Sequence, residues 1–239
     1  MIEVKQASHR LKIYANVTTL ADLLTPTLFS GYRGTKWSGF IKECRKTLLI
    51  DLTKTEEELM SGCKSNTRNE IRRGIRDGYQ FKSDISPEEF VPFYNDFAHE
   101  KGLSPLTISD IIKYPHCQIN AAIVNGVALT MHANIIDDDE KIVRLLYSAS
   151  VRFDENLDPK TVGFSNRFLH YKEFVNYHEK GLLIYDFGGI NEDENNVAQF
   201  RISQFKKGFG GEVADDVFLK SPLFVLLSKV KQIIRKDKE

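Results

Sequence analysis

Apolar and polar positions along this chain follow two spacings in turn, that of strands and that of helices. A short apolar run at Thr47–Leu52 predicts a buried strand, and Tyr79–Ile85 predicts a second one. Between them, Thr53 and Glu56 have the spacing of a capping box, and the apolar stripe behind them predicts one helix that ends at Gly78.

The middle of the chain has the pattern of an antiparallel meander. Asn125-Gly126 between two apolar runs is the strongest hairpin signal in a sequence, and a third strand is expected at Ile142–Ala149. Further helices are predicted from Ser86, at Thr107–Tyr114, from Asp158 to about Lys180, at 195–206 and from Ser221, and further strands at Leu182–Phe187 and Glu212–Phe218. A meander followed by helix and strand predicts an α+β (mixed α/β) fold, with a mixed, mostly antiparallel sheet flanked by helices.

The domain organisation is expected to be simple, because the chain has no internal repeat and no low-complexity linker. Residues 47–239 are predicted to form one domain. Residues 1–46, where a short helix is expected between Leu20 and Leu28, are an N-terminal extension of that domain. The last helix carries an apolar stripe, which is expected to pack on its own domain.

Composition describes an ordinary globular protein, with 41% hydrophobic residues, a mean hydropathy of −0.32 and a formal net charge of +0. Neutral charge argues against a dedicated nucleic-acid coat. The start of the chain lacks a signal-peptide pattern, and no apolar run reaches the ~20 residues of a membrane helix. Three scattered cysteines form no disulfide framework. A cytoplasmic location without stable membrane insertion is therefore expected.

Common catalytic motifs do not occur. The sequence contains no Walker loop, GxGxxG, HExxH or GxSxG, which disfavours P-loop hydrolysis, dinucleotide redox chemistry, zincin proteolysis and α/β-hydrolase chemistry. The six histidines form no ligand-spaced pair, so no metal is expected.

A basic stripe is predicted on the helix before Gly78. Arg68, Arg72 and Arg76 follow one another at a spacing of four and therefore share a helix face. Guanidinium groups suit phosphate oxygens, which makes Arg68 and Arg72 candidates for substrate binding. The alternative is a solvated helix face, partly neutralised by Glu70.

The most informative stretch is Tyr185-Asp186-Phe187-Gly188-Gly189, followed by Phe205-Lys206-Lys207-Gly208-Phe209. A strand that ends in Asp and two glycines is followed by a helix that ends in Phe-Lys and more glycines. Glycines let the backbone approach a ligand or another chain segment closely, and the lysine is a cation at the mouth of the sheet.

With these motifs in order, the chain resembles the FemABX-like branch of the GNAT superfamily, including the related BioF-like acetyltransferase domains. The similarity covers roughly residues 45–220, and a further part of it is Asn66-Thr67-Arg68-Asn69-Glu70-Ile71-Arg72-Arg73. Gly74 stands where the family usually has alanine.

The resemblance implies an N-acyltransferase with two splayed central strands. The acyl donor, which is acyl-CoA in many relatives and aminoacyl-tRNA in the peptidoglycan-bridge members, would place its reactive end in the gap. The helix after the fourth strand would bind the donor phosphates at its N-terminus. Donor-site candidates there are Gly163, Ser165, Asn166 and Arg167. Alternatively, these residues are only the first turns of a helix.

Catalytic candidates by the same resemblance are Lys206 and Asp186. Lys206 would stabilise the oxyanion or hold a phosphate, and Asp186 would orient the acceptor amine or take its proton. Tyr185, Gly188, Gly189 and Phe205 complete the expected substrate site. The alternatives are a lysine that caps its helix and a carboxylate that caps a loop.

Three functions remain open at this point. An acyl-CoA-dependent enzyme acting on an amino sugar or amino acid, either free or carrier-linked as a cell-envelope polysaccharide precursor, is favoured, because the chain has room for one GNAT-like unit and no helical hairpin arm is visible. Fem-type aminoacyl transfer from charged tRNA is the second function. The third is a non-catalytic binding module that docks through the C-terminal helix.

Overall fold

The computed structural model describes residues 1–236, and these residues form two compact units. One unit spans Leu48–Val213; the other comprises Met1–Thr47 and the chain from Ala214 onward. The predicted division into an extension of 1–46 and a domain of 47–239 stays a prediction, and residues 237–239 of that range lie outside the described part.

The helices and strands follow one another in the order that the hydrophobic pattern indicates for most of the chain. In chain order they are β1 (Ile2–Lys5), β2 (Arg10–Ile13), α1 (Leu20–Leu23), β3 (Thr27–Ser30), β4 (Ile41–Asp51), α2 (Glu56–Gly62), α3 (Ser65–Arg76), β5 (Gln80–Lys82), α4 (Pro87–Lys101), α5 (Ile108–Ile112), β6 (Cys117–Val124), β7 (Val127–Asp137), β8 (Ile142–Ser150), α6 (Pro159–Glu179), β9 (Ile184–Ile190), α7 (Val197–Lys207), β10 (Glu212–Lys220) and α8 (Pro222–Lys236).

The unit Leu48–Val213 is built on a mixed sheet in the strand order β4-β9-β8-β7-β6-β5. The pairings β5–β6, β6–β7 and β7–β8 are antiparallel, and β8–β9 is parallel. The expected α+β class and mostly antiparallel sheet are therefore confirmed. The Asn125-Gly126 hairpin is confirmed as well, because both residues have the positive φ that a tight primed turn requires.

The helix predicted from Thr53 to Gly78 is wrong in two respects. The hydroxyl of Thr53 instead donates to the carboxylate of Asp51, and the capping box is formed two residues later by Thr55 and Glu58. The chain then leaves the helix at Cys63, whose backbone is extended, so two helices replace one. The break is stabilised by tertiary contact, since the backbone N–H of Lys64 donates to the carbonyl oxygen of Gly208.

The core of this unit lies largely between the sheet and α6. Tyr171, Phe174, Tyr177, Tyr185 and Phe187 are buried there together. A second apolar cluster joins α4 and α5 to β6, β7 and β8. Burial of large aromatic side chains is a major favourable term in folding, and it makes α6 the helix that fixes the positions of side chains over the centre of the sheet.

The other unit contains the part of the sequence with the weakest pattern. Strands β1, β2 and β3 were not predicted, and the helix expected within Leu20–Leu28 is a single turn, α1. Four-residue strands offer only two positions per face, which is too few for a periodic signal. The strands pair in the order β1-β2-β3-β10.

The expectation that the last helix buries its apolar stripe is wrong. Leu226, Leu227, Val230 and Ile233 of α8 are exposed, by 37–61%. Phe224 contacts the unit instead, with its ring 4.9 Å from that of His9. The side of α8 that packs on the protein is therefore different from the side that carries the apolar stripe.

Candidate functional site

The central strands of the larger unit part from one another soon after they pair. The parallel ladder of β8 and β9 holds three residue pairs and ends at Arg144 opposite Asp186. β8 continues to Ser150 and β9 to Ile190. The residue two places beyond the ladder on β9, Gly188, has φ +71, a conformation that other residues adopt only with strain. The pairing of these two strands therefore ends partway along both of them, as the splayed strands of the resemblance would require.

Lys206, at the end of α7, is fixed against β9. Its Nζ donates to the carbonyl oxygens of Phe187 at 2.9 Å and Gly189 at 2.8 Å, and more weakly to that of Gly188 at 3.5 Å. Burial lowers the pKa of Lys206 to about 8, while the nearby Asp186 opposes the shift. The arrangement holds a cation at the parting of the strands and leaves one weakly used N–H.

The carboxylate of Asp186 is buried, and both of its oxygens contact groups of the protein rather than space for a substrate. Oδ1 accepts the backbone N–H of Gly188 at 2.8 Å, and Oδ2 lies 3.3 Å from the guanidinium of Arg144. These contacts match the alternative in which the carboxylate caps the turn of its own strand. Gly188 and Gly189 act through their backbone, as the acceptors of Lys206.

Two of the donor-site candidates on α6 are occupied within the protein. The hydroxyl of Ser165 lies 2.7 Å from that of Thr130 and 2.8 Å from the carbonyl oxygen of Val162. The carbonyl oxygen of Gly163 accepts from Arg167 at 3.4 Å. At the start of the helix, the side chain of Asp158 accepts the N–H of Lys160, which takes one of the donors that an anion would use.

The other two candidates carry unused polar atoms. Asn166 is 7% exposed, and its Oδ1 has no hydrogen-bond partner among the described residues. The guanidinium of Arg167 lies 4.9 Å from the ring centroid of Phe205 and 2.9 Å from Glu70, while its Nε is buried without a partner. Buried polar atoms of this kind are uncommon and fit a ligand.

The arginine stripe is only partly available. Arg68 donates to the carbonyl oxygens of Ser61 and Cys63, both at 3.0 Å, and so caps the end of α2. Arg68 and Arg72 do line a cleft of about 670 Å³, but Glu56 and Glu57 line it too. The cleft is therefore of mixed charge rather than a phosphate-binding surface of one sign.

A buried polar network under the parted strands was not predicted. Its centre is Glu173 of α6, which is fully buried. One carboxylate oxygen accepts from the amides of Asn120 at 2.8 Å and Asn134 at 2.7 Å; the other lies 2.9 Å from Nδ1 of His132 and 3.2 Å from the hydroxyl of Tyr185. Four neighbouring groups thus surround a carboxylate in an apolar core.

His170 joins this network through Tyr185, whose hydroxyl lies 3.3 Å from Nδ1 of His170. The pKa of His170 is well below its usual value, because burial and the nearby His132, Lys206 and Arg167 all disfavour a second positive charge. Tyr185, expected in the substrate site, therefore lies in the core and links Glu173 to a neutral imidazole next to the lysine.

His132, His170 and Glu173 are close enough together to raise the question of a metal ion. Their candidate ligand atoms all lie within 4.8 Å of one another, and they form the single such group found among the described residues. The two imidazole rings, however, are nearly stacked, with centroids 4.1 Å apart and planes 35° apart. A metal lies in the plane of each ring that binds it, so one ring would have to rotate. The arrangement suits a hydrogen-bond network better.

The sequence carries one signal for this network that a motif search passes over. Asn166, His170, Glu173 and Tyr177 follow one another at spacings of four, three and four, so they lie on one face of α6. A polar stripe on the buried face of a helix is unusual and points to a network or a site. Their partners on β6 and β7 are distant in sequence and follow only from the fold.

Comparison with solved structures identifies proteins of similar fold. FemX superimposes with a TM-score of 0.64 at 13% identity, over 81% of this chain and 65% of FemX, so the chain spans a little under two thirds of that protein. The C-terminal domain of a protein named as a lysylphosphatidylglycerol synthetase from Agrobacterium fabrum gives 0.63 at 13% identity, over 96% and 84%. L-PGS from Bacillus licheniformis gives 0.60 at 12%, over 95% and 84%.

The chain therefore has a fold like that of FemX and of the lysylphosphatidylglycerol synthetase domain, and the resemblance to FemABX-like proteins drawn from the sequence is confirmed at the level of the fold. No protein-family model and no curated protein sequence matches it. Within residues 1–236 no helix has the length and apolar character needed to cross a bilayer.

Proposed function

We propose that this protein is an acyltransferase that joins an acyl group to the amine of a small or carrier-linked acceptor, such as an amino sugar or amino acid of an envelope polysaccharide precursor. The observation that carries the proposal is the parting of β8 and β9 beside a fixed lysine. The FemX-like fold supports the same class of reaction.

The proposed step is nucleophilic substitution at the donor carbonyl carbon. The lone pair of the acceptor amine forms the new C–N bond, the bond from that carbon to the donor's sulfur or oxygen breaks, and the leaving group departs with the electron pair. One amine proton passes to water or to the leaving group. Negative charge develops on the carbonyl oxygen, towards which the weakly used N–H of Lys206 can turn.

The donor is proposed to be an acyl-CoA, with its reactive end in the gap and its polar groups near Asn166 and Arg167. The unpaired Oδ1 of Asn166 and Nε of Arg167 support this placement. A cytoplasmic location, where acyl-CoA is available, belongs to the same proposal.

A second candidate is aminoacyl transfer from charged tRNA. The structural neighbours favour it, since one is FemX and another is named as a lysylphosphatidylglycerol synthetase. Exposed arginines on α3 offer phosphate contacts.

The role of Lys206 is tested by comparing Lys206→Met with Lys207→Met, since Lys207 is the next residue and pairs with Glu192 instead. Removal of one oxyanion donor typically lowers kcat by about 10²–10³, and we expect a loss of that size for Lys206→Met only. A folded Lys206→Met protein with full turnover would remove this lysine from the mechanism.

The donor is tested by calorimetry with acetyl-CoA and longer acyl-CoAs, followed by turnover assays with aminoacyl-tRNA. Binding of acyl-CoA that weakens in Asn166→Ala supports the first candidate. Turnover with charged tRNA alone supports the second. A folded protein that binds and uses neither donor would contradict the proposal and favour a non-catalytic module.

A further inference from the structure

The C-terminal helix α8 presents two different faces. Phe224, Val225 and Ser228 are half-buried and lie on the side that faces the protein. The opposite side carries an apolar stripe of six residues, each 36–61% exposed: Leu223, Leu226, Leu227, Val230, Ile233 and Ile234. At about 100° per residue these six fall on one side of the helix. The stripe therefore faces away from the unit that holds the helix.

The charges on this helix have one sign. Between Pro222 and Lys236 the sequence contains no Asp or Glu. Lys229 and Lys231 are exposed, and the helical spacing places one on each side of the stripe. Arg235 and Lys236 follow in the sequence.

We propose that α8 lies on an anionic phospholipid surface, with its apolar stripe between the acyl chains and its lysines at the headgroups. Helices with an apolar face flanked by Lys and Arg bind in the interfacial plane of a bilayer. Each lysine near an anionic surface contributes about a fivefold gain in affinity. This proposal does not depend on the acyltransferase function.

A second copy of the chain is a less suitable partner for the apolar stripe than an anionic lipid surface. Pairing two α8 helices through it would bring Lys229 and Lys231 of both copies together, and neither helix has a carboxylate to neutralise them. An anionic lipid surface supplies the missing negative charge.

The helix is anchored well enough for its stripe to be changed without loss of the fold. Ser221 at its start is buried, and its hydroxyl donates to the carbonyl oxygen of Thr25 at 2.6 Å and accepts the N–H of Phe224 at 3.2 Å. None of the stripe residues takes part in these contacts.

The experiment is co-sedimentation of the full chain with phosphatidylglycerol vesicles and with phosphatidylcholine vesicles, at low and at high salt. We expect binding to phosphatidylglycerol that weakens with salt, and little binding to phosphatidylcholine. Leu226→Asp with Ile233→Asp should abolish binding. Lys229→Gln with Lys231→Gln should weaken it about twenty-five-fold, two factors of about five.

The matched control is Ile112→Asp with Val127→Asp, which makes the same kind of change at two other sites of 63% and 58% exposure. This variant should bind as the unchanged protein does. The proposal is overturned if the unchanged protein binds neither vesicle, or if the stripe variant binds as well as the control. It is also overturned if sedimentation equilibrium shows a dimer that the stripe variant loses, because the occupant is then a second copy.

Discussion

Lys206 holds its charge among main-chain carbonyl oxygens at a place where burial lowers its pKa to about 8. Below that pH the cation dominates, and it is lost as the pH rises. We therefore expect acyl transfer to fall above about pH 8, measured as kcat against pH. Lys206→Arg keeps its charge, since arginine stays protonated in proteins, and should extend activity to higher pH.

Titration of Lys206 does not itself destabilise the fold as the pH rises. Between about pH 8 and the ordinary lysine pKa of 10.5 the unfolded chain binds the proton and the folded chain does not. The free energy of unfolding therefore rises with pH through this group, opposite in direction to the expected fall in activity. An activity profile that is flat to pH 10 would contradict a role for the cation.

Glu173 is the residue whose replacement should cost the most stability in the polar network. Glu173→Gln turns an amide NH₂ either towards the amides of Asn120 and Asn134 or towards His132 and Tyr185. A buried donor without an acceptor costs about 1–3 kcal/mol, so we expect a loss on the order of 3 kcal/mol in denaturant unfolding.

Glu179→Gln is the matched control, because Glu179 ends the same helix and is exposed. It should change stability little. If Glu173→Gln instead unfolds like the control, the network does not stabilise the fold. If EDTA lowers the Tm of the unchanged protein, a metal occupies the group formed by His132, His170 and Glu173.

Sequence analysis identified the candidate residues that lie in motifs, but not those of the buried polar network around Glu173. Lys206 and Asp186 were found because glycines surround them and because the chain resembles a known family. His132 escaped notice because its neighbours on β7, Met131 and Ala133, are apolar and a single histidine in a strand has no spacing to measure. Asn120 and Asn134 were not identified either, because each is a single polar residue in a strand. Their partner, Glu173, lies on α6 and is distant in sequence.

Among the elements, the approach of β4 to the segment after α7 depends on glycine. Gly211 has φ +81, and a Cβ there would lie 2.4 Å from the carbonyl oxygen of Leu49. Gly78 has a similar φ of +77 but open space around it. A substitution at Gly78 therefore tests backbone strain alone, whereas one at Gly211 tests strain together with a steric clash.

We expect Gly78→Ala to cost about 1–2 kcal/mol, the usual penalty of the left-handed conformation for a residue with a Cβ. Gly211→Ala should cost clearly more, because backbone atoms cannot move aside as a side-chain end can. Urea unfolding of the two variants measures the difference. Equal losses at the two sites would mean that β4 can move away from Gly211 freely.

Element boundaries were predicted well where local chemistry fixes them. The Asn-Gly turn and the Ser86-Pro87 start of α4 both lie where the sequence places them. The boundary between α2 and α3 was missed, because Lys64 leaves the helix to bond Gly208, which is 144 residues further along the chain. Local periodicity carries no information about such a contact.

For the whole molecule, the balance of charge predicts the solubility. The formal net charge is +0 and the sequence pI is about 7.0. Proteins near zero net charge associate most readily, so light scattering at fixed concentration should be highest near pH 7 and fall on either side. Leu226→Asp with Ile233→Asp, which adds negative charge and removes exposed apolar surface, should lower the scattering at pH 7. Equal scattering across the pH range would show that charge does not limit solubility.

The sequence by itself determined the class of fold, the order of most helices and strands of the larger unit, and the glycine-flanked lysine at the end of α7. These follow from periodicity, turn chemistry and capping, which act over a few residues. Tertiary structure alone decided where β8 and β9 part and which groups surround Glu173. It also decided which face of α8 the protein leaves exposed. Those features depend on contacts between residues far apart in the chain, and burial, which sets their energies, is a property of the folded chain.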